Sequence, residues 1–228
     1  NKSSMNKLNK LRKLASIKSG GMSDLIIKEK VIFNLKKYKT DGKSLLDFGS
    51  GKGELISKLL KEFNFSELAC ADLFNKPKRL DESITWYNQD LNNQLKINKK
   101  FDFIVNSETI EHLENPRATL RNIYKLLKNN GILILTMPNN ESVRSYAGLL
   151  FGGHFTAFLG KAYPAHITAI LKLDLIRICK EIGFKNPNFT YTDHGRIPKL
   201  LSISWQKISF NILRGKHFSD NLIMLVKK

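Results

Sequence analysis

Acidic side chains are scarce in this sequence: 20 Asp and Glu stand against 38 Lys and Arg, a formal net charge of +18. Such an excess suits an anionic partner, whether nucleic acid, a phosphorylated substrate or a membrane surface. Arginine is scarce as well, however, and Lys and Asn recur along the whole chain, as a general compositional bias would spread them. Cysteine is nearly absent. Cys70 and Cys179 show no metal-ligand spacing and read as buried free thiols of a cytosolic protein, which excludes a disulfide-stapled fold. No apolar run reaches the roughly 18 residues that a spanning helix needs. No secretory apolar region follows the basic start, and there is neither an internal repeat nor a low-complexity linker. What remains is 42% hydrophobic and 25% charged over 228 residues, an ordinary globular profile read most simply as one domain, 1–228.

One stretch organises the rest. Ser44-Leu45-Leu46-Asp47-Phe48-Gly49-Ser50-Gly51-Lys52-Gly53-Glu54 rises as an apolar run to an acid and breaks into three alternating glycines. Leu55, Ile56, Leu59 and Leu60 then resume at helical spacing. This spells strand, tight turn, helix: the glycines let the backbone turn with unusual dihedrals and let a ligand approach, and the helix start offers unpaired N–H groups.

Upstream, residues 1–40 predict two helices. The first, over 1–22, carries Lys2, Lys7, Lys10, Arg12, Lys13 and Lys18 with no acid, interleaved with Met5, Leu8, Leu11, Leu14 and Ile17. It reads as a basic amphipathic helix for a membrane surface or phosphate, or as a helix lying over a ligand cleft. Ser23 and Asp24 are candidate caps of the second helix, which runs to about Tyr38. Downstream, strands are predicted at Leu68–Ala71 ending on Asp72, at Ile84–Tyr87, at Phe101–Val105 and at Ile132–Met137. A helix from Pro116 to about Lys128 precedes the last of these, ended by an Asn129-Asn130-Gly131 turn. Strands alternating with helices imply a parallel sheet covered on both faces, with ligands beyond the carboxyl ends of its strands. Asp47, Asp72, Asp90 and Glu108 all fall at such ends. Residues 41–138 are therefore the ligand-binding core, 139–171 a lid or insertion, and 172–228 the remainder of the sheet. That last part comprises a helix over 172–182, a strand at Phe189–Thr192, a connection over 196–214 and an antiparallel edge strand at Leu222–Val226.

Three ligands compete for the glycine turn. A phosphate-binding P-loop needs Ser or Thr after its Lys, and Lys52 is followed by Gly53. A nicotinamide fingerprint needs its third glycine one place later, where Glu54 stands. The pattern present is acid, x, Gly, x, Gly, x, Gly, and it resembles the first motif of class I S-adenosylmethionine-dependent methyltransferases.

The resemblance runs from about Ser44 to Phe184. It implies a Rossmann-like α/β fold, a seven-stranded, mostly parallel sheet with helices on both faces and an antiparallel last strand. It implies S-adenosyl-L-methionine as cofactor, with Asp47, Gly49, Ser50, Gly51 and Gly53 against the methionine end. Asp72 would hold the ribose, Leu73 would pack on the adenine, and the acid of Asn88-Gln89-Asp90-Leu91 would bond the adenine amino group, with Asn106 and Glu108 completing the set. Glu108-Thr109-Ile110-Glu111-His112-Leu113 resembles a segment of the subgroup that includes quinone O-methyltransferases. Leu127-Lys128-Asn129-Asn130-Gly131 followed by Met137-Pro138-Asn139 is similar to another of its stretches, with the usual Pro-Gly replaced by Asn-Asn. His166-Ile167 ahead of Gly183-Phe184 is similar to the family's ending.

The implied activity is methyl transfer to a small molecule. A hydroxyl acceptor needs a base, and among His112, His166, His154 and Glu108 the two histidines His112 and His166 are favoured as catalytic residues. A metal held by Glu108, Glu111 and His112 is an alternative that would activate a diol, but two acids and one His at that spacing on a helix are common without metal, so no metal is assigned. Asn106-Ser107-Glu108-Thr109 departs from the Asn-Pro-Pro-Tyr of nucleic-acid amino methyltransferases, and nucleic acid is not expected as a partner. The segment from Arg196-Ile197-Pro198 to Asp220-Asn221 is loosely similar to methyltransferases of surface-polysaccharide synthesis. The first expectation is therefore O-methylation of a sugar or polysaccharide precursor by a cytoplasmic enzyme; a nucleotide or lipid phosphate on that precursor would suit the positive charge. The alternatives are a quinone or lipid O-methyltransferase peripheral to the inner face of the membrane, and a non-catalytic cofactor-binding or nucleic-acid-binding protein.

Overall fold

The computed structural model describes residues 2–21 and 23–228; the side chains of residues 2–6 lie outside the described set, and with them the Lys2 and Met5 positions of the basic helix. The chain opens with α1 (Lys2–Ser19) and α2 (Leu25–Leu35), then alternates β1 (Ser44–Phe48), α3 (Glu54–Glu62), β2 (Glu67–Asp72), β3 (Thr85–Asn88) and β4 (Phe101–Ser107). A single 3₁₀ turn, Ile110–His112, leads to α4 (Pro116–Leu126), β5 (Leu127–Pro138) and α5 (Val143–Gly152). The chain closes with α6 (Lys172–Ile182), β6 (Lys185–Tyr191), a small hairpin of β7 (Arg196–Ile197) and β8 (Leu200–Ser204), α7 (Trp205–Ile208) and β9 (Asn221–Lys227).

Seven strands form one sheet in the order β3-β2-β1-β4-β5-β9-β6, parallel but for β9. The central strands are buried on both faces, which is why Leu45-Leu46, Leu68-Ala69-Cys70-Ala71 and Phe103-Ile104-Val105 read as continuous apolar runs rather than alternations. Alternation decides the face instead. Leu46, Phe48, Ile104 and Leu135 pack with α4 and α6 through Leu120, Ile123, Leu175 and Ile178. Leu45, Val105 and Ile134 pack with α2 and α3 through Val31, Leu35, Ile56 and Leu59. Cys70 and Cys179 are both free and buried. Among the described residues no helix is long and apolar enough to cross a membrane.

Several expectations shift. β9 pairs antiparallel as expected, but it lies between β5 and β6 rather than at the edge, which β6 occupies. The helix predicted to Lys128 ends at Leu126, and β5 begins at Leu127. Asn129-Asn130-Gly131 is thus a bulge inside the strand, where pairing jumps from Phe101↔Leu127 to Phe103↔Ile132 and Asn130 takes φ 62°. The third strand runs Thr85–Asn88, one place late, because Ile84 is spent in the core. The sixth begins four residues early, at Lys185. Asp24 stands at the start of α2 without capping it; its carboxylate accepts a bond from Arg196 Nη2 at 3.3 Å. The hairpin β7–β8 falls in the segment expected as plain connection.

Candidate active site

The carboxyl ends of β1, β2 and β4 surround a cleft of about 830 Å³. Its floor is the glycine turn. Gly49 N donates to Ala71 O at 2.8 Å, so the turn leaves β1 alongside the end of β2. Gly49 needs its missing Cβ: φ is +95°, and a methyl there would collide with the Thr109 side chain. Asp72 binds the turn directly, its Oδ2 accepting from Gly51 N at 2.8 Å and its Oδ1 from Phe74 N at 3.1 Å. Asp47 ends up beneath the turn, 1% exposed, with neither carboxylate oxygen partnered. Burial, and then the charge of Asp72, raise its pKa to about 7.

The far wall is built by the 3₁₀ turn after β4 and the loop before α6. Ile167 N and Thr168 N donate to Glu111 O at 3.1 and 3.0 Å, which brings His166 beside His112; the rings meet edge to face at 4.8 Å. His112 Nδ1 lies 2.8 Å from Ala165 O, so that nitrogen carries the proton. Burial holds both histidines below their usual pKa, His166 at about 4 with the His112 charge adding to the effect. Glu111 is 1% exposed, both its oxygens lack partners, and burial pushes it up to about 8. Glu108, at φ 48°, accepts from Thr136 Oγ1 at 3.0 Å and Asn221 Nδ2 at 2.9 Å; burial, and then Glu111, push it well above the carboxylate range.

Of the residues singled out from sequence, Asp47, Gly49, Ser50, Gly51, Asp72, Leu73, Asp90, Leu91, Glu108, His112 and His166 all line this cleft. Two do not. Gly53 starts α3 at φ +73° and faces Leu80, and Asn106 is wholly buried in the sheet, its Nδ2 donating to Phe48 O at 2.9 Å. The apolar part of the lid falls short too: from 139–171 only Tyr163, Pro164, His166 and Ile167 reach the cleft, while Leu150 and Phe151 project from α5 into solvent. Sequence reasoning missed Arg12 in the site. α1 lies over the cleft, and Arg12 donates from Nη1 to Asp90 at 2.7 Å and from Nε and Nη2 to Glu114 at 2.8 and 2.7 Å. Its only signal was a lone Arg in a lysine-rich segment. Glu111 was grouped from sequence with Glu108 and His112; its cluster with His112 and His166 needed a distant loop folded beside it.

A cofactor with an ammonium-bearing amino-acid end, a ribose and a base fits these residues. The unpartnered carboxylate of Asp47 would suit an ammonium, Asp72 keeps a lone pair on each oxygen for ribose hydroxyls, and Asp90 and Leu91 line the same cleft.

A family model described as a methyltransferase domain matches residues 23–187. A ubiquinone biosynthesis O-methyltransferase of Pelagibacter ubique is 28% identical over 141 residues, 57% of this chain and 57% of that protein. A biotin biosynthesis bifunctional protein BioHC of Teredinibacter turnerae is 26% identical over 133 residues, 52% of this chain and 23% of that protein. The chain thus spans less than two thirds of the length of these relatives. Among solved structures, a SAM-dependent methyltransferase from Archaeoglobus fulgidus superposes with a TM-score of 0.57 at 20% identity, covering 88% of this chain and 94% of that one. Since the family model spans well over half of the chain and takes in the glycine turn and both histidines, the chain belongs to the methyltransferase-domain family.

Proposed function

We propose that this chain transfers a methyl group from S-adenosylmethionine to a hydroxyl oxygen of a small molecule, a sugar or polysaccharide precursor. The observation that carries the reading is one cleft lined both by the unpartnered Asp47 and by the buried Glu111 with the half-buried His112 and His166. When bound, the cofactor supplies an electrophilic methyl on a sulfonium. Asp47 holds its amino-acid end, Asp72 its ribose, and Asp90 with Leu91 its adenine. The chain's own work is then alignment and exclusion of water. α1, pinned by Arg12, roofs the cofactor end, and Tyr163 and Pro164 close the acceptor end. The acceptor hydroxyl lies against His112 and His166, whose unprotonated ring nitrogens are the groups positioned to receive its proton.

A second acceptor, a quinol or lipid head group, is favoured by one observation. Large apolar side chains stand exposed on the two excursions that leave the same rim of the sheet, Leu150 and Phe151 on one, Phe210 and Ile212 on the other. Lys161, Lys199, Lys207 and Arg214 accompany them, a combination suited to an anionic bilayer. The relative from Pelagibacter ubique named above is a ubiquinone biosynthesis enzyme.

Calorimetry with S-adenosylhomocysteine tests the cofactor, and mass spectrometry of reactions with nucleotide sugars and with a quinol tests the acceptor. Absence of S-adenosylhomocysteine binding at about 1 mM, the top of the usual KM range for a substrate, would overturn the reading. A +14 Da product on the quinol and none on any sugar would move the assignment to the second acceptor.

A further inference from the structure

Glu111 is a buried carboxylate with nothing to bind. Its side chain is 1% exposed, and neither oxygen meets a donor. Buried polar groups in folded proteins are almost always paired, and an uncompensated buried charge is strongly destabilising. His166 Nδ1, also buried, is unpartnered as well. One ligand-capable atom from each of Glu111, His112 and His166 lies within 4.8 Å of the other two. His112 is already oriented as ligands are: the Ala165 carbonyl takes the Nδ1 proton and leaves the Nε2 lone pair free. The two backbone bonds onto Glu111 O fix the 3₁₀ turn to the loop that carries His166, so the three side chains are held together before anything binds. A second carboxylate, Glu108, stands beside them, anchored by Thr136 and Asn221.

We infer that Glu111, His112 and His166 form a binding site for a divalent transition-metal ion whose remaining positions open to the cleft, where two adjacent oxygens of the acceptor complete its coordination. Two imidazole nitrogens and one carboxylate suit Mn²⁺, Fe²⁺, Co²⁺ or Zn²⁺; an all-oxygen set would be needed for Mg²⁺ or Ca²⁺. The ion gives the unpartnered oxygens of Glu111 a partner, and it lowers the pKa of a bound hydroxyl, the task a lone base would otherwise perform. Ligand bonds of about 2.0–2.2 Å place ligand atoms no more than roughly 4.2 Å apart, so binding draws the three inward by several tenths of an ångström. The acceptor that follows is a vicinal diol or catechol-like pair of oxygens rather than an isolated hydroxyl. That part rests on the methyl-transfer reading; the ion site itself does not.

The test uses the full chain, stripped with chelator and titrated with Co²⁺ followed by absorption, and with Mn²⁺ followed by calorimetry. One ion per chain is expected, with visible ligand-field bands from the nitrogen and carboxylate set. Glu111→Gln and His166→Gln should each weaken binding by about 100-fold or more, while S-adenosylhomocysteine still binds both variants as it does the parent. The paired variants guard against one failing to fold, and retained cofactor binding reports the fold. If the parent binds cofactor but takes up neither ion at about 1 mM, or if both variants bind Co²⁺ like the parent, the inference is overturned while methyl transfer stands. If Co²⁺ binds and cofactor does not, the methyl-transfer reading fails and the ion site stands.

Discussion

Raising the pH from 5 to 8 should tighten cofactor binding, and the magnitude follows from Asp47. Its carboxyl is buried and unpartnered, with a pKa near 7 that burial and the Asp72 charge impose. Below pH 7 the group is largely protonated, so an incoming ammonium must expel that proton before the ion pair forms. If pairing returns Asp47 to the ordinary carboxylate range, the difference of about three pH units corresponds to about 4 kcal/mol. Affinity for S-adenosylhomocysteine should then fall about tenfold per pH unit below 7, reaching about 100-fold at pH 5. Calorimetry in two buffers of different ionisation enthalpy should find close to one proton released at pH 5.5 and almost none above pH 8. Stability of the free protein runs the other way. A raised folded-state pKa favours the fold below about pH 4, where both states are protonated, and the advantage is lost as pH rises toward 7. Asp47→Asn should therefore melt higher than the parent at pH 8 while binding cofactor weakly and without pH dependence. Affinity flat between pH 5 and 8, or no proton release at pH 5.5, would refute the assignment.

Asp72→Ala removes the acceptor of the Gly51 and Phe74 amides as well as the proposed ribose contact. It should cost about 1–3 kcal/mol of cofactor affinity, measured by calorimetry, with a lowered Tm as its second mark. Gly49→Ala forces a Cβ into Thr109 at φ +95° and should destabilise by about 2 kcal/mol or more in a urea melt. Arg12→Ala removes a buried-end bond to Asp90 and a half-exposed pair with Glu114. Discounted for solvent, that is about 1–2 kcal/mol of α1 docking, seen as roughly tenfold faster trypsin cleavage within residues 2–21 and an unchanged global Tm.

How much of this was legible beforehand depended on how far apart the deciding residues lie in the chain. The strand, glycine turn and helix of 44–62 were readable because neighbouring residues determine them: apolar run, glycines, helical spacing. The acids at the strand ends were readable for the same reason, since each stands within two residues of the end of its own strand. Asn106 shows the limit of that logic, for it sits at a strand end by sequence yet points into the sheet, where Phe48 O holds it. The meeting of Glu111 and His112 with His166 was illegible, because it depends on two amides of a distant loop bonding to one carbonyl. So was the contact of Arg12 with Asp90, made between helix and loop far apart in the chain. β9 was placed correctly in direction and wrongly in position, because its pattern records that both faces are buried but not which strands flank it.

That position of β9 has a consequence for synthesis and folding. A strand inserted between β5 and β6 pairs with both along most of its length, from Pro138↔Asn221 to Ile132↔Lys227 on one side and Tyr191↔Leu222 to Lys185↔Lys227 on the other. Until residues 221–227 leave the ribosome, β5 ends in an open edge and β6 has no neighbour to hold it. The nascent chain can assemble the sheet from β3 to β5, but β6 joins it only once β9 has been made. The strands β1, β2 and β4, whose ends carry Asp47, Asp72 and Glu108 at the cleft, can therefore pair with one another before β6 is joined to the sheet.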